Sequence, residues 1–248
     1  MTLSAAIEKR ISRRKYLETE ISPSITSALQ EKINEYNKIG GFRIVFVLNN
    51  GEAFKGFTRS YGMLTGVKHY FGLIADLDDP NADEKIGYYG ELLVLHATAL
   101  GLGTCWVGGT YSKSKVPFEI NNDERLACLI TVGNVEETST GREKLIYTLA
   151  HRKTKGINEM YQCGDAVEPV WFLNGMSAVS KAPSAMNKQP VLFHLKDCVV
   201  TASVKNTSKY LVAFDLGIAK LHFEIGAGGG SWLWGSGGRF IHQKEEKG

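Results

Sequence analysis

The chain is poor in the patterns that many kinds of chemistry leave in a sequence. Of 248 residues only four are cysteine, Cys105, Cys128, Cys163 and Cys198. They stand far apart and form no C-x-x-C pair, which argues against a disulfide scaffold and suits small buried side chains in a reducing, cytoplasmic compartment. Histidine is scarce and falls into no zinc-binding motif, and His96 and His222, on apolar helical stretches, read as structural. No uninterrupted apolar run approaches the roughly 20 residues that a membrane span needs, and Met1 to Arg14 holds no apolar core of a secretory leader, so neither is expected. Charge of one sign is also lacking. With 29 basic against 26 acidic residues the net charge of +3 is too small to hold a protein on a phosphate polymer, and nucleic acid is not expected as a partner. There is no G-x-S-x-G nucleophile elbow, and the glycine run Gly226 to Gly238 lacks the spacing and strand-to-helix context of a dinucleotide fold. That run, with Trp232 and Trp234, reads as a flexible loop anchored by tryptophan.

What is present is a chain with 43% hydrophobic residues, enough for a large core in one domain or two small halves. Leu3 to Tyr16 has a helical pattern dense in charge. Ser22-Pro23-Ser24 reads as the start of a helix running to about Tyr36. Phe42 to Leu48, Tyr70 to Ala75 and Leu126 to Val132 read as strands. Ile86, Tyr89, Leu93, Ala97 and Leu100 mark a buried helix, after which Thr104 to Gly109 reads as a turn. Further on, Val191 to Leu195 and Cys198 to Ser203 suggest a hairpin around Lys196-Asp197, and Leu211 to Ile225 another helix. Asn37-Lys38 before Phe42 to Phe46 is echoed by Asn187-Lys188 before Val191 to Phe193. Leu100-Gly-Leu-Gly103 with Trp106 and Gly108 is echoed by Ile225-Gly-Ala-Gly228 with Trp232 and Gly235. Short apolar runs and Leu-Gly helix ends also coincide by chance, so duplication and coincidence both stay open.

Four segments could carry chemistry. Lys9-Arg-Ile-Ser-Arg-Arg-Lys15 could neutralise a phosphate through guanidinium forks and a hydroxyl, or could be a solvated charged face. His151-Arg-Lys-Thr-Lys155 is a second basic cluster with the same two readings. Lys181 to Pro190 fixes its backbone with prolines and offers Ser184, Asn187 and Gln189 as donors and acceptors, as a ligand loop needs. Thr104 to Gly109 ends in two glycines that would let backbone approach a flat ligand, or is an ordinary turn beside a core tryptophan.

In this order the segments resemble the nitroreductase family of FMN enzymes. Arg10-Ile11-Ser12-Arg-Arg14-Lys-Tyr16 matches its R-x-S-x-[RK]-x-[FY] signature. Gly101 to Gly109 resembles the turn beneath the flavin ring, Arg152 and Lys153 its C-terminal phosphate-binding pair, and Ala182 to Pro190 its P-S-x-x-N-x-Q-P loop. The loop is out of its usual order. The usual place holds Ile39-Gly-Gly-Phe42, and the intact loop follows the basic pair, as in single-chain members whose two halves form an internal pseudo-dimer.

The resemblance implies an α+β fold, with a central and mostly antiparallel sheet flanked by helices and two diverged halves in one chain. Residues 1–161 would carry the phosphate and ring site, and 162–248 would form a degenerate half carrying the loop. It implies that Arg10, Ser12, Arg152 and Lys153 bind the FMN phosphate, with Ile11 also at the cofactor, that Arg14 lies by the pyrimidine edge as an electrostatic stabiliser, and that Val107, Gly108 and Gly109 bring backbone amides toward N5. Pro183, Ser184, Ala185, Met186 and Asn187 would close over the cofactor. The activity implied is hydride transfer from NADH or NADPH to FMN and electron transfer to a small nitroaromatic or quinone-like acceptor, with the flavin and no side chain carrying the chemistry. A monomer with internal pseudo-symmetry, open to further self-association, is expected. A non-catalytic FMN-binding or flavin-sensing module is the alternative.

Overall fold

The structure, a computed structural model, describes residues 1–55, 64–138, 141, 145, 148, 154–205 and 211–243. Among them the helices are α1 (Leu3–Lys9), α2 (Pro23–Tyr36), α3 (Ala82–Ala99), α4 (Val170–Val179) and α5 (Val212–Ala227). The strands are β1 (Phe42–Val47), β2 (His69–Asp76), β3 (Gly103–Val107), β4 (Glu124–Gly133), β5 (Tyr161–Cys163), β6 (Val191–Lys196), β7 (Val199–Val204), β8 (Gly230–Trp232) and β9 (Gly238–His242). They form two units: Met1–Thr2, Lys9–Ala82 and Leu93–Leu149 make the first, and Leu3–Glu8, Asp83–Leu92 and Ala150–Gly248 the second.

In the first unit α2 begins where Ser22 Oγ accepts the Ile25 N–H at 3.4 Å, with Pro23 in the first turn, where a missing N–H costs nothing. The sheet runs β1-β2-β4-β3 and is antiparallel throughout. Its inner strands are buried on both faces, with Phe71, Leu73, Ile74, Leu129 and Ile130 wholly inaccessible. This is why the sequence shows continuous apolar runs there rather than alternation. The outer edge of β1 is closed by a side chain: Asn37 Oδ1 accepts the Ile44 N–H at 2.7 Å and its Nδ2 donates to Ile44 O at 3.0 Å. Asn37 thus satisfies backbone groups that an edge strand leaves open.

The second unit carries a five-stranded sheet, β5-β6-β7-β9-β8, parallel only between β5 and β6. The β6-β7 hairpin turns at Asp197 and Cys198, whose φ of 53° and 61° suit a primed two-residue turn. The carboxylate of Asp165 accepts both their N–H groups at 2.6 and 2.9 Å.

Element order repeats between the units. α2-β1-β2-α3-β3-β4 in the first half corresponds to α4-β6-β7-α5-β8-β9 in the second, and the strand order β1-β2-β4-β3 to β6-β7-β9-β8. A repeated topology of this length is the structural content of the Asn-Lys and Leu-Gly echoes. The α+β class and mostly antiparallel pairing agree with expectation.

Four local readings need correction. The helix at the N-terminus stops at Lys9, and Arg10 onward is extended. Thr104 to Val107 is not a turn but part of β3, because it pairs residue by residue along β4. The glycine run is not a loop: β8 lies within it and β9 begins at its last residue, and Trp232 of β8 is buried, its Nε1–H donating to Lys220 O of α5 at 2.9 Å. Finally, Cys198 is exposed, because it occupies the hairpin turn; Cys105 and Cys128 are buried as expected.

Within the second unit α5 crosses the Asp83–Leu92 stretch of α3 with backbones in contact. A Cβ on Gly87 would overlap the Phe214 carbonyl, and one on Gly217 would lie 2.7 Å from the Tyr88 nitrogen. Beside this crossing the ammonium of Lys220, wholly buried, pairs with Glu84 and donates to Leu233 O and Gly235 O, each at 3.0 Å. Burial lowers the Lys220 pKa, and the Glu84 carboxylate raises it. Glu84 Oε2 also accepts the Gly235 N–H at 2.6 Å. Next to it the His222 ring bridges Glu91 Oε1 at 3.0 Å and Ala178 O at 3.1 Å.

Removing one partner of such a pair leaves an uncompensated buried charge. Lys220→Met should therefore lower stability by about 3–5 kcal/mol in denaturant unfolding. Adding Glu84→Gln to it should recover part of that loss; a double variant no more stable than the single one would contradict the pairing.

Candidate functional site

The basic segment after α1 is built into the first sheet. Ser12 bridges Thr104 in parallel and Lys15 bridges Thr65. The Arg13 N–H donates to Thr104 O at 2.8 Å, and the Leu17 N–H to Asn134 O at 2.9 Å. Tyr16, 5% exposed, fastens the segment from below. Its hydroxyl donates to Arg13 O at 2.7 Å and lies 2.6 Å from Thr131 Oγ1. Room for this comes from two glycines: a Cβ on Gly103 would meet Arg13 Cβ at 2.9 Å, and one on Gly133 would meet the Tyr16 ring at 3.1 Å. Arg13, a position the signature leaves undefined, is the buried member of the basic run. Arg10, Ser12 and Arg14 are half-buried, whereas Ile11 and Lys15 are exposed. Arg14 Nη1 donates to Ser12 O at 3.3 Å, which draws the guanidinium back along the segment.

The neighbouring β3 (Gly103–Val107) is an edge strand that leads into Gly108-Gly109. Val107 is buried among Phe54, Tyr70 and Tyr111. A Cβ on Gly109 would meet nothing within 4 Å. At about 3.3 Å per residue, Ser12's partner Thr104 and Val107 lie about 10 Å apart. The arrangement places cationic and hydroxyl groups at one end of an edge strand and a glycine pair, open at Gly109, beyond the other.

The Pro183–Pro190 loop lies in the second unit. Ala185–Asn187 forms a short 3-10 turn entered from extended Ser184. Met186, Asn187 and Gln189 have φ of 53°, 53° and 45°, a left-handed backbone that costs a side-chain-bearing residue about 1–3 kcal/mol unless its surroundings enforce it. Here they do. The Gln189 N–H donates to Ser184 Oγ at 2.9 Å; Lys155 donates from its backbone N–H to Gln189 Oε1 at 2.8 Å and from Nζ to Gln189 O at 2.7 Å. Asn187 Nδ2 donates to Thr154 Oγ1 at 3.1 Å. The loop is thereby tied to the end of the second basic cluster. Met186 is 83% exposed. At the matching place in the first unit the left-handed residues are Gly40 and Gly41, at φ 81° and 80°, with no side chain to present.

One group that sequence reasoning missed stands behind this loop. Asp215, in the first turn of α5 and 5% exposed, accepts the Ala185 N–H on Oδ1 at 2.9 Å. It lines a small pocket with Ala182, Pro183, Ser184, Gln189 and Pro190. Burial pushes its pKa up to about 7, against the opposing pull of the Ala185 N–H and Lys188. A lone carboxylate in the apolar run from Leu211 to Ala219 was the available signal. Arg152 and Lys153 lie outside the described residues. No group of acidic, His or Cys side chains able to hold a metal occurs among the described residues, and no described helix is long and apolar enough to cross a membrane.

Comparison with known proteins follows the same lines. The family model described as "Putative TM nitroreductase" matches residues 2–227. A solved nitroreductase of that description from Thermotoga maritima is 20% identical and covers 98% of this chain and 94% of its own, with a TM-score of 0.66. A nitroreductase family protein from Clostridium novyi NT is 18% identical over 58% of this chain and 91% of its own, with a TM-score of 0.45. A nitroreductase with bound FMN from Bacteroides fragilis is 15% identical over 56% and 91%, with a TM-score of 0.44. No curated protein matches. Because the family model spans nearly the whole chain and the Thermotoga maritima structure repeats its fold end to end, this chain belongs to that nitroreductase family of oxidoreductases.

Proposed function

We propose that the chain is an FMN-dependent oxidoreductase that draws electrons from NADH or NADPH and delivers them to a small flat acceptor such as a nitroaromatic or a quinone. The observation that carries this reading is the fastening of the Arg10–Tyr16 segment along β3, whose far end leads into Gly108-Gly109, open at Gly109. The residues fit the cofactor. FMN is elongated, with a dianionic phosphate at one end and a flat ring at the other, and the strand offers cations and a hydroxyl at its start and a glycine turn at its end. When bound, FMN accepts a hydride on its ring and releases the electrons to the acceptor.

The residues of the chain bind and bias that cofactor. Arg10 and Ser12, together with Arg152 and Lys153, are assigned to the phosphate through charge-assisted hydrogen bonds. Ile11 contributes backbone to the same stretch. Arg14 is assigned to the pyrimidine edge, where a fixed cation favours negative charge on the ring. Val107, Gly108 and Gly109 are assigned to the ring, and Pro183, Ser184, Ala185, Met186 and Asn187 to the same cofactor on the strength of their motif. Residues 1–161 and 162–248 then act as the two halves of an internal pseudo-dimer with one live site.

Three outcomes are expected. The chain binds FMN more tightly than riboflavin in a fluorescence titration, and Arg10→Ala weakens FMN binding by roughly tenfold or more, since a charge-assisted contact is worth about 1.5–3 kcal/mol. Equal affinity of the wild type for the two flavins would remove the phosphate assignment. Flavin released by denaturation should come to one FMN per chain; two would mean that the second half holds a working site of its own.

A further inference from the structure

We propose that Asp215 is the positioning residue of the Pro183–Pro190 loop, its carboxyl group holding the Ala185 amide and with it the left-handed backbone at Met186 and Asn187. Its place in the fold is unusual for a carboxylate that serves only its own helix. Asp215 reaches out of α5 to a residue 30 positions earlier in the chain, and the walls around it are largely apolar, among them Met160, Val179, Pro190 and Ala219. An apolar residue would pack there without a desolvation cost, so what the carboxyl adds is the bond to Ala185. That bond sits at the entrance of the turn. The other ties, from Gln189 to Ser184 and from Lys155 to Gln189, close its exit. The Asp215 bond acts beside the turn bond from the Asn187 N–H to Ser184 O at 2.9 Å, so losing the acceptor for Ala185 loosens the entrance to the left-handed pair Met186 and Asn187.

The surrounding charges make the hold sensitive to pH. Lys188, on the loop, is the cation that acts on Asp215. The charged groups on the elements around it are engaged elsewhere: Lys155 with Gln189, Lys181 with Glu8, Glu159 with the Gly156 N–H, Glu84 of α3 with Lys220, and Glu91 with His222. Burial raises the carboxyl from 3.8 to about 7, and the Ala185 N–H and Lys188 only partly offset it. A loop that lifts away would hydrate the group and return it toward its ordinary value. Ordering the loop therefore takes up a proton between about pH 4 and pH 7. The ordered loop is most favoured at the acid end of that window, weakens as pH rises through it, and is constant above it.

The test has two arms, and only the second rests on the proposed function. In the apo chain, hydrogen exchange at the Ala185 amide, corrected for its intrinsic pH dependence, should lose protection from pH 5 to pH 7.5 in the wild type. It should stay protected across that range in Asp215→Asn, which keeps a neutral acceptor, and be unprotected throughout in Asp215→Leu. In the FMN-loaded chain, release of FMN should quicken relative to Asp215→Asn by at least about tenfold over the same range, a pKa unit being tenfold, and then level off. Taking the ratio to Asp215→Asn cancels the titration of the FMN phosphate itself. Equal protection of Ala185 in wild type, Asn and Leu chains, or a wild-type-to-Asn ratio independent of pH in both arms, would overturn the assignment. A chain that binds no FMN yet shows the exchange pattern would leave Asp215 as the loop's anchor and sink the flavin reading alone.

Discussion

Two helices can cross with their backbones touching only where neither carries a side chain at the crossing point, and much of the second unit depends on that constraint at Gly87 and Gly217. Close approach brings the flanking residues of α3 and α5 into a buried or half-buried seam. Glu84 meets Lys220, Glu91 meets His222, and Tyr88 donates to Glu224 at 2.8 Å. Each polar group in this stripe is buried or half-buried, and each has its partner on the opposite helix. Burial raises Glu224 to about 7, the Tyr88 hydroxyl opposing the shift. The crossing also fixes the start of α5. Asp215 stands two residues before Gly217, so the position of the loop anchor is inherited from the helix contact.

Elements whose pattern is local were legible in the sequence. Ser22-Pro23 announced α2, the continuous apolar run from Leu126 announced β4, and the spacing of Ile86, Tyr89 and Leu93 announced α3. What failed to show was structure made by partners distant in the chain. Gly103 to Val107 is a strand only because β4 lies beside it. The glycine run becomes β8 and β9 because Lys220 and Glu84 grip its carbonyl and amide groups from two helices.

The same division holds for the candidate site. The motif carried Arg10, Ser12 and Arg14 to the edge of β3, but it gave no hint that Arg13 is the buried residue or that Tyr16 is the fastener. Those roles depend on Gly103 and Gly133 lying opposite, which only the register reveals. Asn37 and Asn187, aligned as equivalents, have diverged. Asn37 covers the edge of β1, whereas β5 covers the matching edge of β6, where the Phe193 N–H donates to Met160 O at 2.9 Å. A strand in that place releases Asn187 from edge duty and lets it take part in the loop.

The way the units are composed has a consequence for synthesis. Glu84 and Lys220 stand 136 positions apart, and the second unit takes in Leu3–Glu8 as well. At roughly 5–20 residues per second, a ribosome needs about 7–27 seconds to deliver Lys220 after Glu84. Through that interval Glu84 and Glu91 have no partner on α5, and burying either would cost an unpaired charge. Burying the stretch around Gly87 before Lys220 has been made would leave the Glu84 charge uncompensated, so the close packing of α3 against α5 is favoured only once both halves of the pair exist.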